Sequence, residues 1–150
     1  MPHRIIAEKF ISSNPETGGL IDYKFSCFGG RVAYLYVMGN RKNGLKVGIY
    51  DREFCKLDAY ISYDEKMETE AQKPENLEEM REIAEKLSAK FPRARIDLFD
   101  QNGVITFGEI TFFSGSGYTC FDPDEFDFQL GSFSNFQKVK QITYIFGCVL

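Results

Sequence analysis

Residues 20–38, LIDYKFSCFGGRVAYLYVM, determine the fold class. Two β-type runs rich in Tyr, Phe and Val are separated here only by Gly29-Gly30, and this pattern predicts a hairpin with a two-residue turn. Residues 45–50, Leu-Lys-Val-Gly-Ile-Tyr, alternate in polarity and predict a third strand of the same meander. We therefore expect an antiparallel sheet in the first third of the chain.

A single main helix is predicted over residues 76–91. Asn76 is a candidate N-cap, Glu79 three residues later completes a capping-box-like pair, and Pro92 ends the helix. The predicted apolar stripe, a packing face, consists of Leu77, Met80, Ile83, Ala84, Leu87 and Phe91.

A second hairpin is predicted after the helix. Residues 94–100 and 104–113 are β-type runs, and the turn between them contains Asn102-Gly103. Further strands are predicted over residues 4–11 and near residues 57–61. The fold class expected is α+β, with a largely antiparallel sheet and one packed helix.

Composition excludes several function classes. The chain has 150 residues, 43% of them hydrophobic, which suits one globular domain. Its net charge of −4 argues against a dedicated nucleic-acid binder. The sequence has no apolar run long enough for a transmembrane helix and no signal-peptide core. The four cysteines lack zinc or redox spacing and are expected to be free thiols in a reducing cytosol.

Two acidic residues on the strands of the second hairpin are candidate metal ligands. Asp97 and Glu109 each lie in an apolar strand, where an isolated buried carboxylate would be costly. Carboxylates on adjacent strands can converge on one hard cation, and Mg²⁺ uses one or two of them together with phosphate oxygens. The alternative from the pattern alone is that both acids lie on the solvated face of the hairpin.

The ordered string around these acids resembles the metal-binding hairpin of the ATP-grasp superfamily. By this resemblance Asp97 corresponds to the first Mg²⁺ ligand and Glu109 to the bridging ligand. Thr111 lies where most of the superfamily has Asn. Arg95 corresponds to the arginine that stabilises the transferring phosphoryl group or a tetrahedral intermediate.

Four blocks in fixed order extend the resemblance to the TupA-like (teichuronopeptide-type) ATP-grasp family, in which Thr is common at the position of Thr111. The first block is DYKFSCFGG at 22–30, and the second runs from KPENLEEM at 73–80 through AEKLS at 84–88. The third consists of RIDL at 95–98, GEITF at 108–112 and SGSG at 114–117. The fourth runs from FDP at 121–123 to Asp127 and includes Leu130-Gly131.

The same resemblance implies a nucleotide site. Backbone groups of Lys9, Phe10 and Ile11 would pair with the adenine edge, with Glu8 close by. Lys24 would lie near the ribose and phosphates. The alternative for Lys24 is a solvated lysine on a strand. Arg41 and Arg52, in loops, are further candidates for facing phosphates, and are otherwise ordinary surface arginines.

The implied function is ATP- and Mg²⁺-dependent ligation of a carboxylate to an amine, in bacterial surface-polysaccharide biosynthesis and in the cytoplasm. Residues 1–131 would form the hinge and metal-binding C-terminal region of the ATP-grasp fold, and residues 132–150 an unassigned tail. An upstream half with a phosphate-covering loop is also implied. We therefore expect a truncated protein, inactive alone or completed by another polypeptide. The alternatives are a non-catalytic nucleotide- or partner-binding module and an α+β domain with only structural similarity.

Overall fold

A six-stranded sheet and two helices form the part of the chain that the computed structural model describes, residues 19–40 and 44–134 with the single positions 5, 7 and 11. The strand order is β5-β3-β2-β1-β6-β7, and β4 pairs separately with β8. The elements are β1 (Asp22–Phe28), β2 (Arg31–Gly39), β3 (Lys46–Asp51), β4 (Tyr60–Ile61), β5 (Glu65–Lys66), α1 (Leu77–Ser88), β6 (Arg93–Gln101), β7 (Val104–Thr111), β8 (Phe121–Asp122) and α2 (Asp124–Phe133).

Both predicted hairpins are confirmed. Gly29 and Gly30 join β1 to β2 with φ values of 56° and 78°, and Asn102 and Gly103 join β6 to β7 with φ values of 52° and 83°. Positive φ at both central residues is the requirement of the type I′ turn, whose twist matches that of the strands it joins. The third meander strand, β3, pairs antiparallel with β2 as expected, and the α+β class with a mostly antiparallel sheet is also confirmed.

Helix α1 packs on one face of the sheet. Leu77, Met80 and Ala84 are buried against the inward side chains of β1, β2 and β6, as the predicted stripe requires. Leu87 is instead 39% exposed, whereas Ser88 is fully buried. Ser88 follows Leu77 by about three helical turns at 3.6 residues per turn, so it continues the buried line and Leu87 falls beside it.

The predictions about the ends of α1 are correct only in part. The helix ends at Ser88, three residues before the predicted limit. Asn76 occupies the N-cap position as predicted, but its side chain makes no capping bond, and its Nδ2 atom donates instead to the Gly103 carbonyl at 3.3 Å. The amide therefore links the helix start to the β6–β7 turn, a contact between segments that neighbouring residues could not reveal.

Helix α2 covers part of the opposite face, and this helix was not predicted. Its Phe126 and Leu130 pack with Tyr34 and Tyr36 of β2, which alternate along the strand with residues that face α1. Phe128 is 79% exposed, so α2 has only a narrow apolar stripe. That weak periodicity explains why the sequence pattern did not indicate a helix.

Several predictions fall wholly or partly outside the residues that the structure describes. The strand expected over residues 4–11 lies largely outside the described residues, and Ile5, Ala7 and Ile11 belong to no strand. Cys27, Cys55 and Cys120 are free thiols as predicted, whereas Cys148 lies outside the described residues. Within the described ranges, none of the helices is long and apolar enough to cross a membrane.

Candidate functional site

The predicted site residues of β1, β6 and β7 meet on the face of the sheet that carries α2. Strand pairing places Lys24 beside Asp97 and, in the next row, Arg95 beside Thr111. Lys24, Arg95 and Asp97 alternate with residues that face α1, so their side chains share the other face. An irregularity in the β6–β7 register then brings Glu109 to the same cluster.

Arg95 is the centre of this cluster. Its Nε donates to Asp97 Oδ1 at 2.7 Å and its Nη2 to Asp97 Oδ2 at 2.9 Å. Nη2 also lies 2.8 Å from Glu109 Oε1 and 3.0 Å from Thr111 Oγ1. Nη1 donates to the Ser114 hydroxyl at 3.1 Å, and the Thr111 hydroxyl donates to Glu109 Oε1 at 2.9 Å. Oxygens from three predicted metal ligands therefore surround one nitrogen atom.

Lys24 forms the second cationic contact of Asp97. Its Nζ donates to Asp97 Oδ2 and lies 3.7 Å from Asp22 Oδ2. The side chains of Asp97 and Lys24 are only 2% and 13% exposed. The alternative prediction, that these side chains lie on a solvated face of the sheet, is therefore wrong for Asp97 and Lys24. It is correct for Glu109, whose side chain is 61% exposed at the rim of the cluster.

The electrostatics of the cluster keep Arg95 charged. Burial of the guanidinium acts to lower its pKa, but the hydrogen bonds to Asp97 and the charges of Asp97 and Glu109 outweigh burial, so the pKa of Arg95 is raised. Paired carboxylates favour the charged form of a neighbouring base. The cluster can therefore hold a permanent positive charge close to an anionic ligand.

The oxygen atoms of the cluster are of the kind that binds a hard divalent cation. Two carboxylates and one hydroxyl, from Asp97, Glu109 and Thr111, contact a common point that Arg95 Nη2 now fills. Among the described residues no group of three or more His, Cys, Asp or Glu could hold a metal ion. Two carboxylates and a hydroxyl are nevertheless a donor set that suits Mg²⁺ where substrate phosphates supply the further oxygens.

The structure does not bring every predicted residue to the cluster. Glu8, Lys9 and Phe10 lie outside the described residues, and Ile11 is half-buried, so the adenine hinge stays a prediction.

The two loop arginines also lack support as phosphate ligands. Arg41 lies outside the described residues. Arg52 pairs instead with Glu85 of α1, with 3.3 Å between Nη1 and Oε1. It therefore lies with the helix that covers the other face of the sheet.

Sequence reasoning missed three members of the site. Asp22 is buried beside Lys24, and its position two residues earlier on the same strand was the available signal. Ser114 begins the glycine-rich segment after β7, and the sequence pattern assigned it no role, although its hydroxyl accepts from Arg95 Nη1. Tyr36 is paired with Lys24 across the strands, and its hydroxyl lies 3.0 Å from that of Tyr34. Burial, with Tyr34 beside it, raises the pKa of Tyr36 well above its usual value.

Comparison with known families agrees with this geometry. The family model described as TupA-like ATPgrasp matches residues 1–134 of the 150-residue chain. Neither the curated proteins nor the solved structures include a significant match. Because the family match covers most of the chain and includes every residue of the cluster, the chain belongs to the TupA-like ATP-grasp family.

Proposed function

We propose that this chain holds Mg²⁺ and the phosphates of ATP for ligation of a carboxylate to an amine. The observation that carries the proposal is the convergence of Asp97, Glu109 and Thr111 on one cationic point. ATP-grasp proteins in general use ATP and Mg²⁺, and membership of the family supports a ligase-like activity.

Each residue of the cluster has a distinct part in the proposal. Asp97, Glu109 and Thr111 would hold Mg²⁺, which when bound would neutralise charge on the β- and γ-phosphates. Arg95 would balance the charge that develops on the transferring phosphoryl group. Lys24 donates a hydrogen bond to the buried Asp97 carboxylate and holds it in position, and its ammonium would lie near enough to the cluster to meet a phosphate.

The wider setting is also part of the proposal. Glu8, Lys9, Phe10 and Ile11 would supply the adenine hinge, with backbone groups of the last three pairing with the base. A second polypeptide would complete the site by covering the phosphates. The reaction would serve the assembly of a bacterial surface polysaccharide and would take place in the cytoplasm, where ATP is available.

Thermal unfolding with and without Mg-ATP tests the proposal. A ligand present at about 100 times its dissociation constant stabilises the folded state by about 2.7 kcal/mol. For a domain of this size, that is a rise in Tm of about 5–10 °C. We expect this rise with Mg-ATP and its loss when EDTA removes the metal.

Two variants make the test specific. Glu109→Ala removes a predicted ligand that is largely exposed, so the variant should fold, and it should lose the response to Mg-ATP. Glu82→Ala is the matched control, because Glu82 is an exposed glutamate of α1 that pairs with Lys86 at 3.2 Å. If Mg-ATP at millimolar concentration leaves the Tm of the wild-type chain unchanged, the proposed nucleotide site is wrong.

Turnover separates a ligase from a binding module. Release of phosphate from Mg-ATP in the presence of a carboxylate and an amine, by the chain alone or with a candidate partner polypeptide, would support the ligase. A stable Mg-ATP complex without turnover under both conditions would support the non-catalytic module.

A further inference from the structure

We propose that Arg95 is a tethered cation that competes with the divalent metal for the same oxygens. The metal would bind only when the guanidinium moves away from Asp97, Glu109 and Thr111. This inference rests on the proposed function and adds an internal control of metal entry.

The hydrogen-bond count at Arg95 is the first argument. Nη2 has three oxygen neighbours between 2.8 and 3.0 Å, on Asp97, Glu109 and Thr111, but an arginine terminal nitrogen carries only two hydrogens. The Thr111 hydroxyl already directs its own hydrogen to Glu109. Two N–H groups cannot satisfy three oxygens equally, whereas a metal cation accepts lone pairs from several directions at once. The three oxygens are therefore better suited to a metal cation than to the Arg95 nitrogen.

The charges around Arg95 give the second argument. Asp97 and Glu109 are the two carboxylates that Arg95 contacts, and Lys24 is a second cation bound to Asp97. Among these residues, two negative charges and the one positive charge of Lys24 leave −1 without Arg95, and the sum is zero with Arg95 in place. The attraction for a divalent metal ion is therefore weaker while the guanidinium occupies the cluster.

The exchange has a clear route. Glu109, at the open side of the cluster, is 61% exposed, and Arg95 itself is 16% exposed. Nη1 is bonded to Ser114, which lies outside the ring of metal-facing oxygens, in the short segment after β7. Lys24 keeps its contact with Asp97 throughout, so the buried carboxylate is never left without a cation. A displaced guanidinium would then be available to an anionic substrate group.

Mn²⁺ binding measured by electron paramagnetic resonance tests the inference without any turnover. In Arg95→Gln the competing charge is removed, and we expect the affinity for Mn²⁺ alone to rise at least about tenfold over the wild-type chain, equivalent to about 1.4 kcal/mol. Arg95→Lys keeps the charge but has one nitrogen instead of a fork, so its affinity should fall between the two.

A matched variant separates competition from a general change of charge. Arg93→Gln removes the same charge two residues earlier on β6, where the guanidinium carbon lies 5.5 Å from the centroid of the Phe28 ring. Its Mn²⁺ affinity should change less than about threefold. Adding Glu109→Gln to Arg95→Gln should abolish the gain, which would assign the gain to this cluster.

The outcomes are distinct from those of the proposed function. If Arg95 only holds the two carboxylates in place, Arg95→Gln will bind Mn²⁺ more weakly than the wild type, and the inference is overturned. It is overturned equally if Arg93→Gln and Arg95→Gln gain the same affinity. If circular dichroism shows that Arg95→Gln does not fold, the Arg95→Lys variant decides the question. A Mn²⁺ affinity of Arg95→Lys equal to that of the wild type then counts against competition. A missing Mg-ATP response of the wild type would instead contradict the nucleotide site.

Discussion

Replacement of Asp97 by Asn should destabilise the folded chain far more than replacement of Glu109 by Gln. Asp97 is 2% exposed and is the shared partner of Lys24 and Arg95, whose side chains are 13% and 16% exposed. Removal of one partner from a buried ion pair costs about 3–5 kcal/mol, because the remaining charge stays buried without compensation.

The remaining contacts place the expected cost at the lower end of this range. Lys24 retains Asp22 at 3.7 Å, and Arg95 retains Glu109 at 2.8 Å. We therefore expect Asp97→Asn to lower the free energy of unfolding by about 3 kcal/mol and the Tm by about 6–12 °C. Glu109 is 61% exposed, so Glu109→Gln should cost less than about 1 kcal/mol.

Urea denaturation followed by tyrosine fluorescence and far-ultraviolet circular dichroism is a suitable assay, since the chain has eight tyrosines and no tryptophan. A loss of about 3 kcal/mol should lower the urea midpoint by about 1–2 M if the m value, the slope of the unfolding free energy against urea concentration, is typical of small proteins. Equal costs for Asp97→Asn and Glu109→Gln would refute the reasoning, because they would mean that Asp97 is not a buried counter-ion.

A double-mutant cycle with Lys24→Met identifies the interaction itself. Each single variant leaves a buried charge with one partner fewer, whereas the double variant removes both members of the pair. We expect the double variant to cost at least about 1 kcal/mol less than the sum of the single variants. Simple additivity would indicate that Lys24 and Asp97 stabilise the fold independently.

Two further predictions concern the turn and the pH dependence of stability. Gly30→Ala should lower the free energy of unfolding by about 3 kcal/mol, because its Cβ would lie 2.9 Å from the Ala89 Cα at a φ of +78°. Gly29→Ala has open space around the added atom and should cost only about 1 kcal/mol. The urea midpoints of the two variants compare these costs, and equal midpoints would contradict the contact with Ala89. Burial, helped by the charge of Asp100, raises the pKa of Tyr23 to about 12. The neutral form of Tyr23 therefore stabilises the fold below pH 10, and this contribution, about 3 kcal/mol at most, is lost as the pH rises towards 12. Denaturation at pH 8 to 11 should therefore show a shallower loss in Tyr23→Phe, and identical pH profiles would contradict this assignment.

The chemistry of the cluster could be predicted from the sequence only in part. Arg95, Asp97, Glu109 and Thr111 belong to one hairpin, so the turn at Asn102-Gly103 brings their strands together. Strand alternation counted from that turn would place Glu109 and Thr111 on the other face, and only the irregularity in the β6–β7 register brings them to Asp97 and Arg95. Their roles were implied by the family resemblance, and the pattern alone equally allowed a solvated face. Burial of Asp97 depends on elements outside the hairpin, and no local signal carried that information.

The sequence by itself determined the local structure of this protein: the two glycine-containing turns, the strands beside them, and α1 with its apolar line. These features depend on residues a few positions apart, whose turn preferences and periodicity act wherever the segment lies. Tertiary structure alone decided that β1 lies beside β6, which brings Lys24 to Asp97 across 73 residues of sequence. It also decided that α2 covers the tyrosine side of the sheet while Arg95 and its oxygen partners occupy the same face. Such pairings depend on which distant surfaces bury the most apolar area together, so they exist only once the whole sheet has formed.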